Sequence, residues 1–381
     1  MAKLRVAVLF GGKSGEHEVS IVSALSVFNA LDKTKYDATL IGIDKSGRWL
    51  LPDQTRLLAQ ASNPRLIALN QVKETVSLLP FQAEKSIVPV SAEGSIPSPA
   101  KGGLQFDVII PILHGTYGED GTVQGLLELA NIPYVGSGVL GSALGMDKEV
   151  AKRVLRDAGV PVVPFITVRR HEFEARAQAI LDEARRKFGF PYFLKPANLG
   201  SSVGVNKVKN EREARAKFED ALQYDTKILV EQAIDARELE CSVLGNHDPH
   251  ASVVGEVIPH HEFYSYEAKY IDENGAELKI PANDLPKATS DRVRELAVAA
   301  FKALEAAGMA RVDFFLDRKT GSVYLNEINT IPGFTKISMY PKLWEATGLP
   351  YPKLLDKLIE LARERHAEKN KLKTTYEPAK G

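Results

Sequence analysis

The sequence predicts an α/β protein whose N-terminal part is a doubly wound parallel sheet. Short apolar runs rich in β-branched residues, at 4–10 and 106–113, are typical of buried parallel strands. Segments with helical spacing of apolar residues alternate with such strands, first at 19–31. With 381 residues, the chain is also long enough for two or three domains that each bury a core.

The predicted elements follow in a regular order along the chain. The first strand ends at Gly11-Gly12, and the order strand, helix, strand over residues 4–43 is that of an α/β unit. A Ser-, Pro- and Gly-rich segment at 91–103 predicts a loop. Ser290 is expected to cap the helix at 291–307, and Gly308 to end it. The other helices are predicted at 122–130, 148–158, 172–187, 211–222, near 342–346 and at 353–365, and the other strands at 36–43, between 191 and 256, at 311–316 and at 323–328.

Composition and charge limit the classes of partner. Lys plus Arg and Asp plus Glu both total 49, so no overall field attracts nucleic acid or an anionic membrane. The single cysteine, Cys241, is expected to be a small core residue in a reducing compartment. We find no signal-peptide pattern and no apolar run near the roughly 18 residues that span a bilayer. We therefore expect a soluble, cytoplasmic protein that binds neither nucleic acid nor membrane.

Two short matches to nucleotide-binding motifs are set aside. Residues 12–14 (GKS) resemble the end of a P-loop, but Ala7 stands where that motif needs its first glycine. Residues 136–141 (GSGVLG) fit the glycine pattern of dinucleotide-binding proteins, but they lie far from the first strand, and no acidic residue follows at the expected spacing. A turn is the better interpretation, and a dehydrogenase hypothesis has no other support.

A group of polar side chains near the C-terminus predicts a metal site. Arg311 and Asp313 share one face of a predicted strand, as do Glu327 and Asn329 on the next strand. If the two strands form a hairpin, the two acids and the amide converge, and their oxygens suit Mg²⁺. The competing interpretation is a salt bridge with Arg311. We favour the metal site because one arginine cannot neutralise both carboxylates.

A second region has the features of a nucleotide site. Lys195 ends a predicted strand and precedes 198–205 (NLGSSVGV), a loop whose small residues let backbone N–H groups approach phosphate oxygens. The lysine adds a positive point charge. Glu231 ends the next strand, and Glu238 follows, a segment that suits an adenine edge and ribose hydroxyls. An ordinary Gly-Ser hairpin and solvated acids are the alternatives.

Together these residues carry a family resemblance. The Lys195 loop, the segment from Glu231 to Glu238 and the acidic hairpin occur in the order seen in ATP-grasp enzymes. More narrowly, the chain resembles the D-alanine–D-alanine ligase family. The resemblance rests on five ordered stretches, which are 11–20 (GGKSGEHEVS), 114–121 (HGTYGEDG), 146–148 (MDK), 267–270 (EAKY) and 326–335 (NEINTIPGFT). They are distributed from residue 11 to residue 335, so the resemblance extends over nearly the whole chain.

The resemblance implies an ATP-grasp fold and a ligase reaction. The implied domains are an N-terminal substrate-binding domain at 1–136, a small central α+β domain at 137–230 and a C-terminal antiparallel-sheet domain at 231–369, followed by a polar tail at 370–381, with ATP between the last two domains. The implied reaction joins two D-alanines through an acyl phosphate, for peptidoglycan precursor synthesis. Two Mg²⁺ ions, replaceable by Mn²⁺, assist it, and a homodimer is implied by the resemblance alone.

The resemblance also assigns roles to single residues. The metal ligands are Asp313, Glu327 and Asn329, with Glu327 bridging. The residues at ATP are Lys148, Lys195, Ser201, Ser202, Glu231, Gln232, Ile234, Glu238, Lys269 and Asn326, among which Glu231, Gln232 and Ile234 line the adenine and Glu238 the ribose. The residues at the two D-alanines are Glu16, His114, Tyr270, Arg311, Gly333, Ser338 and Met339.

Within the substrate set, the resemblance pairs Glu16 with the ammonium group of the first D-alanine, with His114 nearby. Arg311 and the backbone N–H of Gly333 form an oxyanion hole. Ser338 and Met339 lie at the carboxylate of the second D-alanine.

Tyr270 is expected to set the choice of acceptor. The resemblance implies that Tyr270, Glu16 and Ser201 form a hydrogen-bonded chain that closes a lid at roughly 260–275, and that the product is a dipeptide. The alternatives are another ATP-grasp carboxylate–amine ligase, a variant that accepts D-lactate or D-serine, and a non-catalytic nucleotide-binding protein.

Overall fold

The computed structural model describes residues 2–53, 75–79, 86–90, 103–260, 276–335 and 337–376. The strands form three sheets and are β1 (Leu4–Gly11), β2 (Tyr36–Ile43), β3 (Trp49–Leu50), β4 (Thr75–Leu78), β5 (Ser86–Val90), β6 (Leu104–Gln105), β7 (Val108–Ile112), β8 (Phe165–Arg169), β9 (Tyr192–Pro196), β10 (Asn206–Val208), β11 (Lys227–Gln232), β12 (Ala236–Gly245), β13 (His250–Pro259), β14 (Ala276–Lys279), β15 (Gly308–Asp317) and β16 (Val323–Asn329). The helices are α1 (His17–Ala30), α2 (Thr122–Leu129), α3 (Val139–Met146), α4 (Lys148–Asp157), α5 (Arg170–Phe188), α6 (Glu211–Tyr224), α7 (Lys287–Ala303), α8 (Met339–Ala346) and α9 (Tyr351–Lys369). The predicted loop at 91–103 lies outside the described residues, apart from residue 103.

The first sheet is mixed, with the strand order β6-β5-β4-β3-β2-β1-β7. β1 pairs in parallel with β2 and with β7, as the α/β prediction requires, and α1 connects β1 to β2. From β2 to β6 every pairing is antiparallel. The connection between β2 and β3 shows why these strands are antiparallel. Gly47 N donates to Asp44 O at 2.9 Å in a tight turn, and so short a connection joins only antiparallel neighbours.

The other two sheets are antiparallel, which confirms the fold class predicted for the rest of the chain. The four-stranded sheet has the order β10-β9-β11-β8. α5 and α6 cover it, with Phe173 stacked on Phe218 at 5.0 Å between ring centroids. The five-stranded sheet has the order β14-β13-β12-β15-β16, and α7 packs on one face of it. β15 and β16 form the predicted hairpin.

The core of the first sheet includes residues from the end of the chain. Leu354 and Leu358 of α9 are buried in one cluster with β1, β7 and α1. At the edge of this contact, Asp356 accepts hydrogen bonds from Lys35 Nζ at 2.6 Å and from the Tyr36 hydroxyl at 2.8 Å. α9 therefore packs on the N-terminal sheet, although the predicted boundaries assign residues 351–369 to the C-terminal domain. Those boundaries stay predictions, and residues 370–376 are exposed.

Two local predictions have clear outcomes. The expected cap at Ser290 is wrong, because α7 begins at Lys287 and its N-cap is Pro286. Ser290 N donates to Pro286 O at 3.0 Å, so it lies in the first turn, and the ring of the proline already sets the backbone for a helix start. Cys241 is fully buried, as expected, and burial raises the pKa of its thiol to about 12. Within the described ranges, no helix combines the length and apolar character needed to cross a bilayer.

Candidate active site

The candidate site lies where the hairpin of β15 and β16 meets the end of β9 and the start of α4. Lys195, on β9, donates from Nζ to Asn326 Oδ1 at 2.8 Å. Lys148, the first residue of α4, donates to Leu199 O at 2.6 Å, and its Nζ lies 3.5 Å from Glu327 Oε2. The two lysines thus connect the small-residue loop to the acidic hairpin, and their predicted contacts with phosphates stay predictions.

The predicted metal ligands come together on the hairpin. Asp313 is the cross-strand partner of Glu327, and Arg311 is the partner of Asn329. Asn329 Nδ2 donates to Asp313 Oδ2 at 3.0 Å. In the part of the chain that the structure describes, no three His, Cys, Asp or Glu side chains are grouped to hold a metal by themselves. A site on this hairpin therefore needs the amide of Asn329 or oxygens from a ligand.

The salt bridge that the sequence analysis weighed against the metal site is present. Arg311 donates from Nε and Nη2 to the two oxygens of Asp313, both at 2.7 Å. Its Nε also lies 2.8 Å from Glu240 Oε2, on the neighbouring β12. Burial opposes the charge of the guanidinium, but these carboxylates outweigh it and raise the pKa of Arg311 well above its ordinary value. The charge of Glu327 adds to this rise, and its carboxylate also lies beside Lys148.

The loop at 198–204 has the backbone expected of a phosphate-binding turn. Ser201 and Ser202 both have positive φ, at 51° and 60°. The start of the loop is anchored by Asn198, whose N and Nδ2 donate to Asp225 Oδ2 at 2.9 Å and 3.0 Å. At its tip, the Ser201 hydroxyl donates to Glu16 Oε1. The contact joins the loop at 198–204 to the start of α1.

Glu231 lies between two lysines. Lys152 Nζ is 2.8 Å from Glu231 Oε1, and both side chains are only 1% exposed. Lys195 Nζ is 2.7 Å from the other carboxylate oxygen. Burial raises the pKa of Glu231, but the two ammonium groups outweigh burial, so its net pKa is lowered and it stays ionised. Gln232 is exposed at the end of β11, whereas Ile234 and Glu238 are half-buried. The adenine and ribose roles of these residues stay predictions.

Glu16 occupies a narrow space between two loops. It is 7% exposed, and a methyl group added at Gly115 or at Gly200 would lie 2.9 Å from its Oε2. A second acid, Glu119, accepts from Gly115 N at 2.7 Å. Burial, followed by the charge of Glu16, raises the pKa of Glu119 to about 8. Glu16 is therefore the acid of this pair that suits a substrate ammonium group, because a carboxyl group with a raised pKa carries little charge near neutral pH.

The backbone of Ile331 is held at both its N–H and its carbonyl oxygen by the loop at 114–121. Its N–H donates to Glu119 Oε1 at 3.3 Å, and its carbonyl oxygen lies 3.1 Å from His114 Nδ1. Because a carbonyl only accepts, Nδ1 carries the proton. Burial lowers the pKa of His114, which agrees with a neutral ring. The Ser23 hydroxyl, 3.4 Å from His114 Nε2, also accepts from Phe334 N at 3.4 Å. His114 thus supports the 331–334 segment.

Gly333 and Ser338 lie close together, as their proposed roles require. A methyl group at Gly333 would lie 2.9 Å from Ser338 Oγ. Ser338 is the N-cap residue of α8, and its Oγ accepts from Thr335 N at 3.0 Å. The side chain of Met339 points elsewhere, because it is 5% exposed and packs with Val257 and Leu343. Only the backbone of Met339 is therefore available to a bound carboxylate.

Two predicted residues lie outside the described part of the chain. They are Lys269 and Tyr270, together with most of the expected lid. Conversely, the structure adds residues that the sequence analysis did not assign, which are Ser23, Glu119, Lys152 and Glu240. Sequence signals existed for two of them, since Lys152 follows Lys148 by one helical turn and Glu240 follows Glu238 on one strand face.

Comparison with known proteins identifies the family. The model described as D-ala D-ala ligase N-terminus matches residues 5–137, and that described as D-ala D-ala ligase C-terminus matches residues 154–360. A D-alanine–D-alanine ligase from Shouchella clausii is 50% identical over 375 residues, which are 98% of this chain and 99% of that protein. The chain belongs to the D-alanine–D-alanine ligase family.

Solved structures agree over nearly the full length. The D-alanine–D-alanine ligase from Coxiella burnetii is 42% identical with a TM-score of 0.82, and the match covers 97% of each chain. The VanG D-Ala:D-Ser ligase from Enterococcus faecalis is 34% identical with a TM-score of 0.80, and the match covers 95% of this chain and all of that one. The same fold is therefore used by a relative whose name specifies D-serine.

Proposed function

We propose that this protein joins two molecules of D-alanine, with ATP as co-substrate, and releases D-alanyl-D-alanine, ADP and phosphate. The observation that carries the proposal is one connected set of contacts at the loop that contains Ser201. Ser201 donates to Glu16, while Lys148 donates to a carbonyl oxygen of the same loop and lies 3.5 Å from Glu327. An acid suited to an ammonium group, a loop suited to phosphates and carboxylates suited to a metal are thereby combined in one site.

The chemical problem is that a carboxylate is a poor electrophile. In the proposed reaction, a carboxylate oxygen of the first D-alanine attacks the γ-phosphorus of ATP, and the bond to ADP breaks. The amine nitrogen of the second D-alanine then attacks the carbonyl carbon of the acyl phosphate. Phosphate leaves with the electrons of the C–O bond, and the nitrogen loses a proton. The protein mainly has to position the reactants and stabilise charge.

The side chains divide this work between them. Glu16 binds the ammonium group of the first D-alanine, and Lys148 and Lys195 neutralise phosphate oxygens. Arg311 and the N–H of Gly333 donate to the oxyanion of the tetrahedral intermediate. Loss of one such donor typically lowers the rate by about 10²–10³.

Asp313, Glu327 and Asn329 are suited to Mg²⁺, or to Mn²⁺ in its place. Mg²⁺ takes few protein ligands and the remainder from phosphate and water, so two acids and an amide are enough. When bound, the ion neutralises charge on the transferring phosphate. Asn329 would then present its amide oxygen instead of the Nδ2 that now faces Asp313.

The acceptor is assigned from the sequence at position 270. We propose D-alanine because Tyr270 stands at the position that the family resemblance links to dipeptide synthesis. D-serine is the second candidate, because the 34%-identical VanG ligase shares the fold.

A coupled ADP-release assay tests the function, with D-alanine, L-alanine, D-serine and D-lactate as substrates and mass analysis of the product. We expect ADP release that depends on D-alanine, and a product with the mass of the dipeptide. ADP release without any dependence on D-alanine would point instead to another ATP-grasp ligase. A preference for D-lactate near neutral pH would refute the acceptor assignment.

The wider setting of the reaction is also proposed. A dipeptide of D-alanine fits peptidoglycan precursor synthesis, and consumption of ATP fits a cytoplasmic location. The predicted domain boundaries and the homodimer remain part of the proposal, and sedimentation of the purified protein tests the dimer.

A further inference from the structure

Three carboxylates lie in a row across the five-stranded sheet. Glu240 on β12 is the cross-strand partner of Asp313 on β15, which is the partner of Glu327 on β16. Cross-strand partners share one face of a sheet, and like charges placed so are unfavourable unless a cation lies between them. Arg311 provides that cation for the first two acids, and Lys148 lies beside the third.

Arg311 Nε lies between two carboxylates but carries only one hydrogen. It donates that hydrogen to Asp313 Oδ1 at 2.7 Å, and it forms an ion pair with Glu240 Oε2 at 2.8 Å that has no hydrogen bond. A single N–H makes one strong hydrogen bond at a time, so Glu240 can accept it only when Asp313 turns away. The side chains of Glu240, Arg311 and Asp313 are 10%, 18% and 13% exposed. Water therefore cannot replace a lost partner at low cost.

We propose that Glu240 is a positioning residue that keeps Arg311 neutralised and aimed while Asp313 turns to the metal. Without Glu240, Asp313 is the main counter-ion of a buried guanidinium, and metal binding has to separate that pair. With Glu240, the Nε–H passes from one carboxylate to the other, and the arginine stays in place for the oxyanion. The inference rests on the proposed metal site and adds a residue to it.

Mn²⁺ binding tests the inference without turnover. The affinity for Mn²⁺ is measured by electron paramagnetic resonance on the full chain with a non-hydrolysable ATP analogue. We expect Glu240→Gln to weaken Mn²⁺ binding about tenfold, which is about 1.4 kcal/mol. In an Arg311→Met background the same substitution should change the affinity much less, because the guanidinium no longer competes for Asp313. An equal loss of Mn²⁺ affinity in both backgrounds would overturn the inference. It would indicate that Glu240 attracts the ion through its charge alone or binds the ion directly.

Glu240→Asp tests whether the position of the carboxylate matters in addition to its charge. It keeps the negative charge but withdraws the carboxylate by one C–C bond, about 1.5 Å. The inference expects weaker Mn²⁺ binding, whereas near-normal binding contradicts it. The matched control is Glu256→Gln. Glu256 forms another buried pair, with Arg237 at 2.6 Å on the same sheet, and its loss should alter stability but leave Mn²⁺ affinity unchanged.

Thermal unfolding of each variant shows whether it is folded before the metal is added. If the wild-type chain with the nucleotide analogue does not bind Mn²⁺, the proposed metal site is wrong. If it binds Mn²⁺ and neither Glu240 variant changes the affinity, only the role of Glu240 is wrong.

Discussion

Replacement of Lys152 by Met tests how the buried charges beneath the proposed nucleotide site are balanced. Lys152 and Glu231 are each 1% exposed and lie 2.8 Å apart, so solvent does little to screen them. Removal of one partner from a buried pair typically costs about 3–5 kcal/mol, because the other charge is left buried. Glu231 keeps Lys195 at 2.7 Å, so we expect the lower end, about 3 kcal/mol.

The loss should be visible in thermal unfolding and in the kinetics. For a chain of 381 residues, an unfolding entropy of about 2 cal/mol/K per residue converts 3 kcal/mol into a fall of about 4 °C in Tm. Glu231 also competes with the nucleotide for Lys195, and this competition strengthens when Lys152 is gone. We therefore expect a several-fold higher KM for ATP, with little change in KM for D-alanine.

The matched control is Arg153→Met on the same helix. Arg153 is 63% exposed and pairs with Glu149 at 3.3 Å. Exposed pairs contribute about 0–1 kcal/mol, so its Tm should barely move. If Lys152→Met has a Tm and a KM for ATP equal to those of the wild type, the argument from buried charge fails.

Three further predictions concern the acids of the site. Glu327→Gln should abolish D-alanine-dependent ADP release, while the far-ultraviolet circular dichroism stays that of the wild type. Gly200→Ala should raise KM for D-alanine, because the added methyl group lies 2.9 Å from Glu16 Oε2, whereas Gly125→Ala, with open space around it, should leave the kinetics unchanged. Glu119→Gln should become more stable relative to the wild type as pH rises from about 4.5 to about 8, as followed by Tm. In that window the unfolded chain ionises Glu119 before the folded chain does, so the wild type loses stability there.

Each of these predictions has a result that contradicts it. Near-normal turnover of Glu327→Gln at limiting Mg²⁺ would remove that carboxylate from the metal site. Equal kinetics of the two alanine variants would mean that Glu16 does not bind the first substrate. A Tm difference for Glu119→Gln that stays constant between pH 5 and pH 8 would show that the pKa of Glu119 is not raised.

Local periodicity accounts for much of what was predicted correctly. Two-residue alternation placed Arg311 and Asp313 on one face of their strand, and did the same for Glu327 and Asn329. Pairing of the two strands then put all four side chains on one face of the sheet. The parallel strands β1 and β7 were predicted from their continuous apolar runs, which reflect burial on both sides of a sheet. The cap at Ser290 was wrong because Ser290 fits the pattern of a cap, whereas Pro286 had already started the helix.

The balance of charges could not be obtained in this way. The sequence analysis treated a salt bridge to Arg311 and a metal site as competing interpretations, and the structure contains the salt bridge with Glu240 added to it. Likewise Glu231, expected at an adenine edge, is held by Lys152 and Lys195. Both results depend on which distant side chains share a buried volume, and no spacing along the chain specifies that.

The sequence by itself determined the fold class, the order of the elements, the chemical character of the site and the family to which the chain belongs. Residue types and short spacings encode these properties, because helices and strands have fixed periods. Only the tertiary structure decided that Lys152 and Lys195 enclose Glu231, that the loop at 114–121 holds Ile331 and that α9 covers the N-terminal sheet. These contacts join segments far apart in the chain, and they depend on how whole surfaces pack.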